Sequence, residues 1–256
     1  MLLQSFICPL VMYTQNDKGV AILDKLIGTV FFINQDGVFL TAKHVVQSAL
    51  SISEGNGMSV GVVVKGEGEA YKESFITPLV SYDFYNDNVD VCIGSVNYKT
   101  PTELFFSYNK MVGIFSDVLS FGYPIDAVHN GVFYEDRALK GYIQREIKAD
   151  RDSGLVNSGC DSYELNFVVS RGMSGSPLIK VNPDGKFIVV GICVGFNRSQ
   201  TIDFERTEIN DNGEIYVESI RKVIEYSRAP IIQGFWDWKP NILKGKSLIE
   251  CCQHKI

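Results

Sequence analysis

The apolar positions of this chain fall into short β-rich runs punctuated by turn residues. Gly28-Thr-Val-Phe-Phe-Ile and Val38-Phe-Leu-Thr flank Asp36-Gly37, a pair that favours positive φ and predicts a hairpin whose second strand ends at Leu40-Thr41. Residues 1–16 are fairly apolar but broken by Gln4, Pro9 and Gln15, and read as an opening strand packed on the first β body. That body spans about 20–96, with glycine-rich turns near 54–57 and 66–68. Residues 97–111, with Pro101, read as a crossover. A second β body follows over about 112–217, through Val118 to Pro124, Phe167-Val-Val and Phe187 to Val194. Within it, Gln144 to Ser158 is polar and charged, a loop or exposed hairpin placed to shape a cleft. Ile220, Val223, Ile224 and Tyr226 then recur at helical spacing ahead of Pro230, which predicts a short helix over 218–227.

The tail, 228–256, contains both tryptophans in Ile231-Ile-Gln-Gly-Phe-Trp-Asp-Trp238. This stretch is too apolar to leave in water. It reads as a cover over the second body, with a docking segment for a regulatory protein partner as the alternative.

Composition narrows the class. With 24 basic and 30 acidic residues the formal net charge is −6, so nothing electrostatic points to nucleic acid. No basic tract or amphipathic anchor suggests a membrane surface. The opening segment lacks a basic leader region and is too short to span a bilayer, which takes about 20 apolar residues. Six cysteines are present. Cys92 and Cys193 fall in predicted core strands as small hydrophobes, and Cys160 has no evident partner, a pattern that favours a reducing, cytoplasmic compartment. Cys251-Cys252-Gln253-His254 places three potential ligands too close together to close a tetrahedron, and no second cluster completes it. It reads as a frayed tail, and no metal or cofactor is expected.

The chemistry-bearing string is Arg171-Gly-Met-Ser-Gly-Ser-Pro177, a serine between glycines with a proline closing the turn. Ser174 is a candidate nucleophile, which requires a base, a group to orient that base, and a site for a developing oxyanion. Three histidines exist: His44, His129 and His254. Only His44 has a useful context, just past a strand end where a rigid scaffold presents the ring to a cleft. Asp90 stands where the polar stretch Tyr82 to Asn88 feeds into the apolar run Val91-Cys-Ile. A carboxylate at the mouth of a buried strand can accept the imidazole Nδ1 proton and fix the tautomer. Asp87 competes, but lies outside the apolar run and is expected to be solvated.

The order His44, Asp90, Ser174, with Thr-Ala-x-His, Asp-Val-x-Ile and Gly-x-Ser-Gly-x-Pro around them, resembles the trypsin-like peptidase domain of the chymotrypsin superfamily. It is most like the bacterial and intracellular branches, similar to the high-temperature-requirement protease domain without added modules. The chain order itself separates it from subtilisin-like and α/β-hydrolase sites. The resemblance covers roughly 28–224. It implies an all-β fold of two six-stranded antiparallel β-barrels with the site between them, followed by the short C-terminal helix and tail. It also implies a serine endopeptidase acting on polypeptide substrates: Ser174 as nucleophile, His44 as general base, Asp90 as orienting carboxylate, and the Gly172 and Ser174 amides as oxyanion hole. Pocket walls would come from Val168, Val169, Ser170 and Arg171 and from Cys193, Val194 and Gly195. With no charge near Val168, a modest apolar residue is expected before the scissile bond.

Met173 departs from the digestive branch, which has there an aspartate that pairs with a freshly cleaved N-terminus. With Met1 at the start and no clear activation sequence, zymogen cleavage of that kind is not expected. Two further roles are compatible with the resemblance: a regulated bacterial effector cutting one partner, and a catalytically silent fold that binds peptides or proteins. A chaperone-like role has no added peptide-binding module to support it.

Overall fold

The computed structural model describes residues 3–65, 74–99, 102–125, 135–149, 159–209, 212 and 214–256. The opening segment forms β1 (Ile7–Gln15), buried over its first seven residues, so it is a wall of the first barrel and not a strand laid outside it. With β2 (Ala21–Phe32), β3 (Val38–Thr41), β4 (Ser59–Lys65), β5 (Ser74–Phe84) and β6 (Cys92–Val96) it closes a barrel in the order β1-β2-β3-β6-β5-β4. The Asp36-Gly37 hairpin forms as its sequence predicts, pairing Phe31 with Leu40 and Phe32 with Phe39.

Residues 43–56 form a helix, α1 (Lys43–Asn56), that the strand-dominated pattern obscured. Val45, Val46 and Ala49 make its buried stripe, and Gly57 terminates it in the left-handed region. The turn expected at 54–57 is therefore a helix end. The one expected at 66–68 lies outside the described residues.

The crossover contains β7 (Leu104–Phe106). The second body comprises β8 (Asp117–Gly122), β9 (Arg137–Ile147), β10 (Ser162–Leu165), β11 (Pro177–Val181), β12 (Phe187–Ile192), β13 (Gly195–Ile209) and β14 (Ile215–Pro230). With β7 and a C-terminal β15 (His254–Lys255) these make a nine-stranded sheet in the order β13-β14-β10-β9-β8-β11-β12-β7-β15. The six central strands, β14 to β12, curl until their ends meet at a single bridge, Gly191 to Ile231. Val194 N–H adds a bond to the Arg228 carbonyl. The expected second six-stranded barrel is thus a ring joined by one bridge in place of a full ladder, with three strands added at its ends. Glycine permits the join: a Cβ on Gly191 would stand 2.9 Å from the Pro230 carbonyl oxygen.

One expectation fails here. The helix over 218–227 is strand: β14 runs through it, paired with β13 from Gly195–Arg228 to Ile209–Ile215. Ile, Val and Tyr are stronger strand than helix formers, and the preceding β-rich run supplies a partner along the whole length. The short C-terminal helix comes later, as α2 (Leu248–Cys251), opened by a Ser247–Glu250 capping box. Of the loop or hairpin expected over 144–158, Gln144 to Ile147 forms one arm of the antiparallel β9–β10 pair, and 150–158 lies outside the described residues.

The tail packs across both bodies rather than over the second alone: Ile231 joins the core of the second body, residues 232–235 pack on β12, and β15 pairs with β7 at the end of its sheet. Ile232, Phe235, Trp236, Leu243, Leu248, Ile249 and Cys252 join the same apolar core as β1 to β6. Phe235 and Trp238 meet Tyr85 edge-on, Trp236 Nε1–H donates to the Ser107 carbonyl at 2.9 Å, and Gln253 N–H donates to that of Ile33. The terminal residues are likewise ordered rather than frayed. Cys252 is buried, and His254 stacks on Phe105 with Nε2 2.9 Å from the Thr102 carbonyl oxygen. Among the described residues no group of three or more His, Cys, Asp or Glu is placed to hold a metal ion.

Candidate active site

His44 is the second residue of α1, where a backbone N–H has no partner within the helix. Asp90, just ahead of β6 and 6% exposed, takes both of its hydrogen-bonding positions. Its Oδ1 accepts the His44 N–H at 2.8 Å and its Oδ2 lies 2.6 Å from Nδ1. One carboxylate thereby satisfies the helix terminus and locks the ring. With Nδ1 engaged, Nε2 is the nitrogen left for the cleft.

Asp87 is solvent-exposed and pairs with Lys43 at 3.6 Å. Lys43 itself is a feature the sequence reading missed. Largely buried, it donates to the carbonyls of Asn86 at 2.9 Å and Asp87 at 3.4 Å, and its ammonium lies 5.4 Å from the centre of the Phe84 ring. The residue before the base thus fastens the loop that carries Asp90. The signal was a charged residue between Ala42 and His44 at the start of a half-buried helix.

On the other wall, each carbonyl from Ser170 to Ser174 has a donor. Met173 N–H bonds the Ser170 carbonyl at 3.1 Å, Ile125 N–H that of Arg171 at 2.8 Å, Ser176 N–H that of Met173 at 3.0 Å, and Thr29 N–H that of Ser174 at 2.9 Å. The Gly172 carbonyl is held by the Thr29 hydroxyl at 2.8 Å. Because the peptide unit is planar and trans, fixing a carbonyl fixes the N–H that follows it. The Gly172 and Ser174 amides belong to the pinned Arg171 and Met173 carbonyls, and neither donates to a protein group among the described residues. Gly172 has φ +88°, and a Cβ there would stand 2.4 Å from the Tyr123 carbonyl oxygen. No other residue fits this position without strain. Met173 is fully buried in the apolar cluster of the second body.

The cleft between barrel and sheet, about 460 Å³, is lined by His44, Ser48 and Ile27 on one side. Val169 to Gly172, Ser174, Val194, Gly195 and Ile125 line the other. His44, Ser174, Gly172 and the proposed walls Val169, Ser170, Arg171, Val194 and Gly195 are therefore brought together. Val168 and Cys193 are not among the lining residues. Cys193 is spent on the core: its N–H donates to the Ser176 carbonyl and its own carbonyl accepts Gly175 N–H at 2.7 Å. Burial pushes its thiol up to about 11, only partly offset by hydrogen bonding with Ser120 and Ser176.

Residues 28–192, more than half of the chain, match the trypsin-like peptidase domain family. The chain belongs to that family. It is a serine peptidase, a hydrolase. No curated protein matches it in sequence. Among solved structures, this peptidase is similar to the MamO protease domain from Magnetospirillum magneticum in its apo form, at 12% identity and TM-score 0.50, covering 91% of this chain and 94% of that one. It is also similar to an HtrA-type protease, AlgW, a serine-to-alanine variant with a decapeptide, at 14% identity and TM-score 0.53, covering 90% and 60%. A third is the inactive form of the Rv3671c protease, at 24% identity and TM-score 0.47, covering 75% and 79%. At these identities the likeness concerns the fold. Among the described residues of this peptidase no helix is long and apolar enough to cross a membrane.

Proposed function

We propose that this peptidase hydrolyses peptide bonds through an acyl-enzyme formed on Ser174. Ser174 attacks the scissile carbonyl while His44 takes its proton through Nε2. The oxyanion collects on the Gly172 and Ser174 amides. His44 then returns the proton to the leaving amine, and water repeats the sequence in deacylation. Asp90 keeps Nδ1 as the donor and stabilises the imidazolium. The observation that carries the reading is the two-point hold of Asp90 on the His44 N–H and Nδ1, which orients a base toward a cleft shared with Ser174.

Val169 and Val194 in the wall support a modest apolar residue before the cut. We place the protein in a reducing, cytoplasmic setting; six free thiols, Cys8, Cys92, Cys193 and Cys252 of them buried, fit that reading.

Mass-spectrometric digestion of an unfolded protein tests the proposal, together with labelling by a fluorophosphonate probe. Wild type cuts and labels. Ser174→Ala does neither, and Asp90→Asn, with the wrong tautomer held toward the cleft, loses about four powers of ten in rate. Hydrolysis that survives Ser174→Ala overturns the assignment.

A further inference from the structure

Of the described residues that line the cleft, Arg171 alone carries a permanent charge, and none is Asp or Glu. His44 is the other titratable group there, and its Nδ1 is committed to Asp90 behind it. Arg171 is exposed, and among the described residues no hydrogen bond or ion pair engages its guanidinium. Its backbone, by contrast, is fixed. The Arg171 carbonyl accepts Ile125 N–H at 2.8 Å, and the same planar peptide unit carries the Gly172 amide. The side chain is therefore tethered beside the reacting carbonyl and not at the far end of the cleft.

A second guanidinium leans on the same rim. Arg137 Nη1 stands 3.4 Å from Oγ of Ser170, which precedes Arg171 in the cleft wall. Asp136, the sequence neighbour of Arg137, is taken up by Gln4, whose Nε2 donates to it at 2.9 Å. The chain as a whole is acidic, at −6, which by itself disfavours an acidic partner. That charge is spread over the surface, however, and charges farther off than about 8 Å are largely screened at physiological ionic strength. A carboxylate in contact with Arg171 escapes this screening and is held by a planar fork through two parallel hydrogen bonds. The local sign of the cleft wins.

We propose that Arg171 selects polypeptide segments that carry an acidic side chain close to the cut. This deepens the peptidase reading of the cleft and rests on it. An extended substrate advances about 3.3 to 3.6 Å per residue, so one arginine side chain anchored beside the scissile carbonyl covers about two residues on either side. The residue immediately before the cut remains the modest apolar one that Val169 and Val194 accommodate, and the acid falls on a neighbour. Glu or Asp is distinguished there from Gln or Asn by charge, since their shapes are nearly the same.

The test takes the first bond cut in a reduced, alkylated protein and rebuilds it as synthetic peptides. Each position within about two residues of the cut is set in turn to Glu, Gln or Lys. With the native protein at low ionic strength, kcat/KM for Glu exceeds that for Gln by about tenfold at one or more positions, and the ratio shrinks as salt is added. In Arg171→Gln the Glu-to-Gln ratio falls to about one, whatever happens to the overall rate. In Arg171→Glu the preference passes to Lys, and Arg171→Lys, which keeps the charge without the fork, retains part of the preference for Glu. A native ratio of about one at every position, or a ratio that outlives Arg171→Gln, overturns the proposal. If the native protein cuts nothing, the peptidase reading of the cleft has failed, and acid selection is decided separately by fluorescence anisotropy. The native cleft then binds a fluorescein-labelled alternating Val-Glu peptide about fivefold more tightly than its Val-Gln counterpart, and Arg171→Gln loses the difference. Equal binding, or a difference independent of Arg171, sinks it.

Discussion

The Thr29 hydroxyl donates to the Gly172 carbonyl at 2.8 Å across the seam between the barrel and the second sheet. The same residue's N–H holds the Ser174 carbonyl at 2.9 Å, and its hydroxyl oxygen accepts Tyr123 N–H at 3.1 Å. Its own carbonyl accepts the Thr41 hydroxyl at 2.7 Å, three residues before His44. Thr29 is fully buried. In the digestive branch, from which this sequence departs, a salt bridge to the residue before the nucleophile orders this loop; here that residue is Met173, and the fastening is a buried hydroxyl on the other body.

Thr29→Val keeps the shape and removes the hydroxyl, leaving the Tyr123 N–H and the Gly172 carbonyl without their partner. A loosened Gly172 peptide weakens the oxyanion site more than substrate binding. We expect kcat to fall about 10- to 100-fold, below the full cost of deleting one oxyanion donor, with KM little changed. Stability drops by about 1 to 3 kcal/mol. Thr29→Ser, which retains the hydroxyl, recovers most of the rate. Single-turnover acylation beside thermal melts separates the two effects, and a Thr29→Val enzyme with normal acylation would show that the hydroxyl does not order the loop.

Met173→Asp restores the digestive residue type at a site that cannot use it. Met173 is fully buried in the apolar cluster that includes Val169, Leu178 and Ile188, so a carboxylate there enters an apolar core among the described residues. The cost is on the order of 3 to 5 kcal/mol for an uncompensated buried charge, and it shrinks as pH falls because a neutral carboxyl is cheaper to bury. Denaturant melts at two pH values check this. An unchanged midpoint at neutral pH would mean that the loop has a cationic partner.

The legible parts of the chain were those in which local chemistry and final environment agree. Asp36-Gly37 demands a turn wherever it sits, and the strings around His44, Asp90 and Ser174 each carry their own strand-end or turn signal. What stayed hidden depended on distant pairing. Ile220, Val223 and Ile224 satisfy a helical period, yet β13 exists to pair with them, and the Asn212-Gly213 pair between the two runs was the hairpin signal that outweighed the spacing. Thr29 looked like one polar residue in an apolar strand; its role appears only when the second body delivers Gly172. The tail's apolar character was plain, but its packing across both bodies was not, because either alone would bury it.

Phe235 is 1% exposed in the barrel-side core and packs edge-on against Tyr85 with ring centres 4.9 Å apart. Phe235→Ala is expected to cost about 3 to 5 kcal/mol. Removing 235–256 also withdraws Trp236, Leu243, Leu248 and Ile249 from the same core, so the truncated chain should lose its cooperative melt. A sharp, native-like melt of that truncation would instead show that the tail is dispensable to the barrel.

Alkaline pH should destabilise the protein through its buried thiols. Burial raises Cys8 from 9.0 to about 12, against a small lowering by Lys65, and Cys193 from 9.0 to about 11. Below about pH 9 both thiols are neutral in the native and unfolded chains, and their contribution is fully present. Above it the unfolded chain releases protons that the native chain keeps, so stability falls with rising pH until the folded values are reached. Serine stays neutral throughout this range, so Cys193→Ser removes its share of the slope. Between pH 8 and pH 10 the stability difference between wild type and Cys193→Ser should therefore shift by about 1 kcal/mol in favour of the variant. Urea melts at the two pH values measure it, with parallel behaviour of the two proteins as the result that would remove Cys193 as a source of alkaline sensitivity.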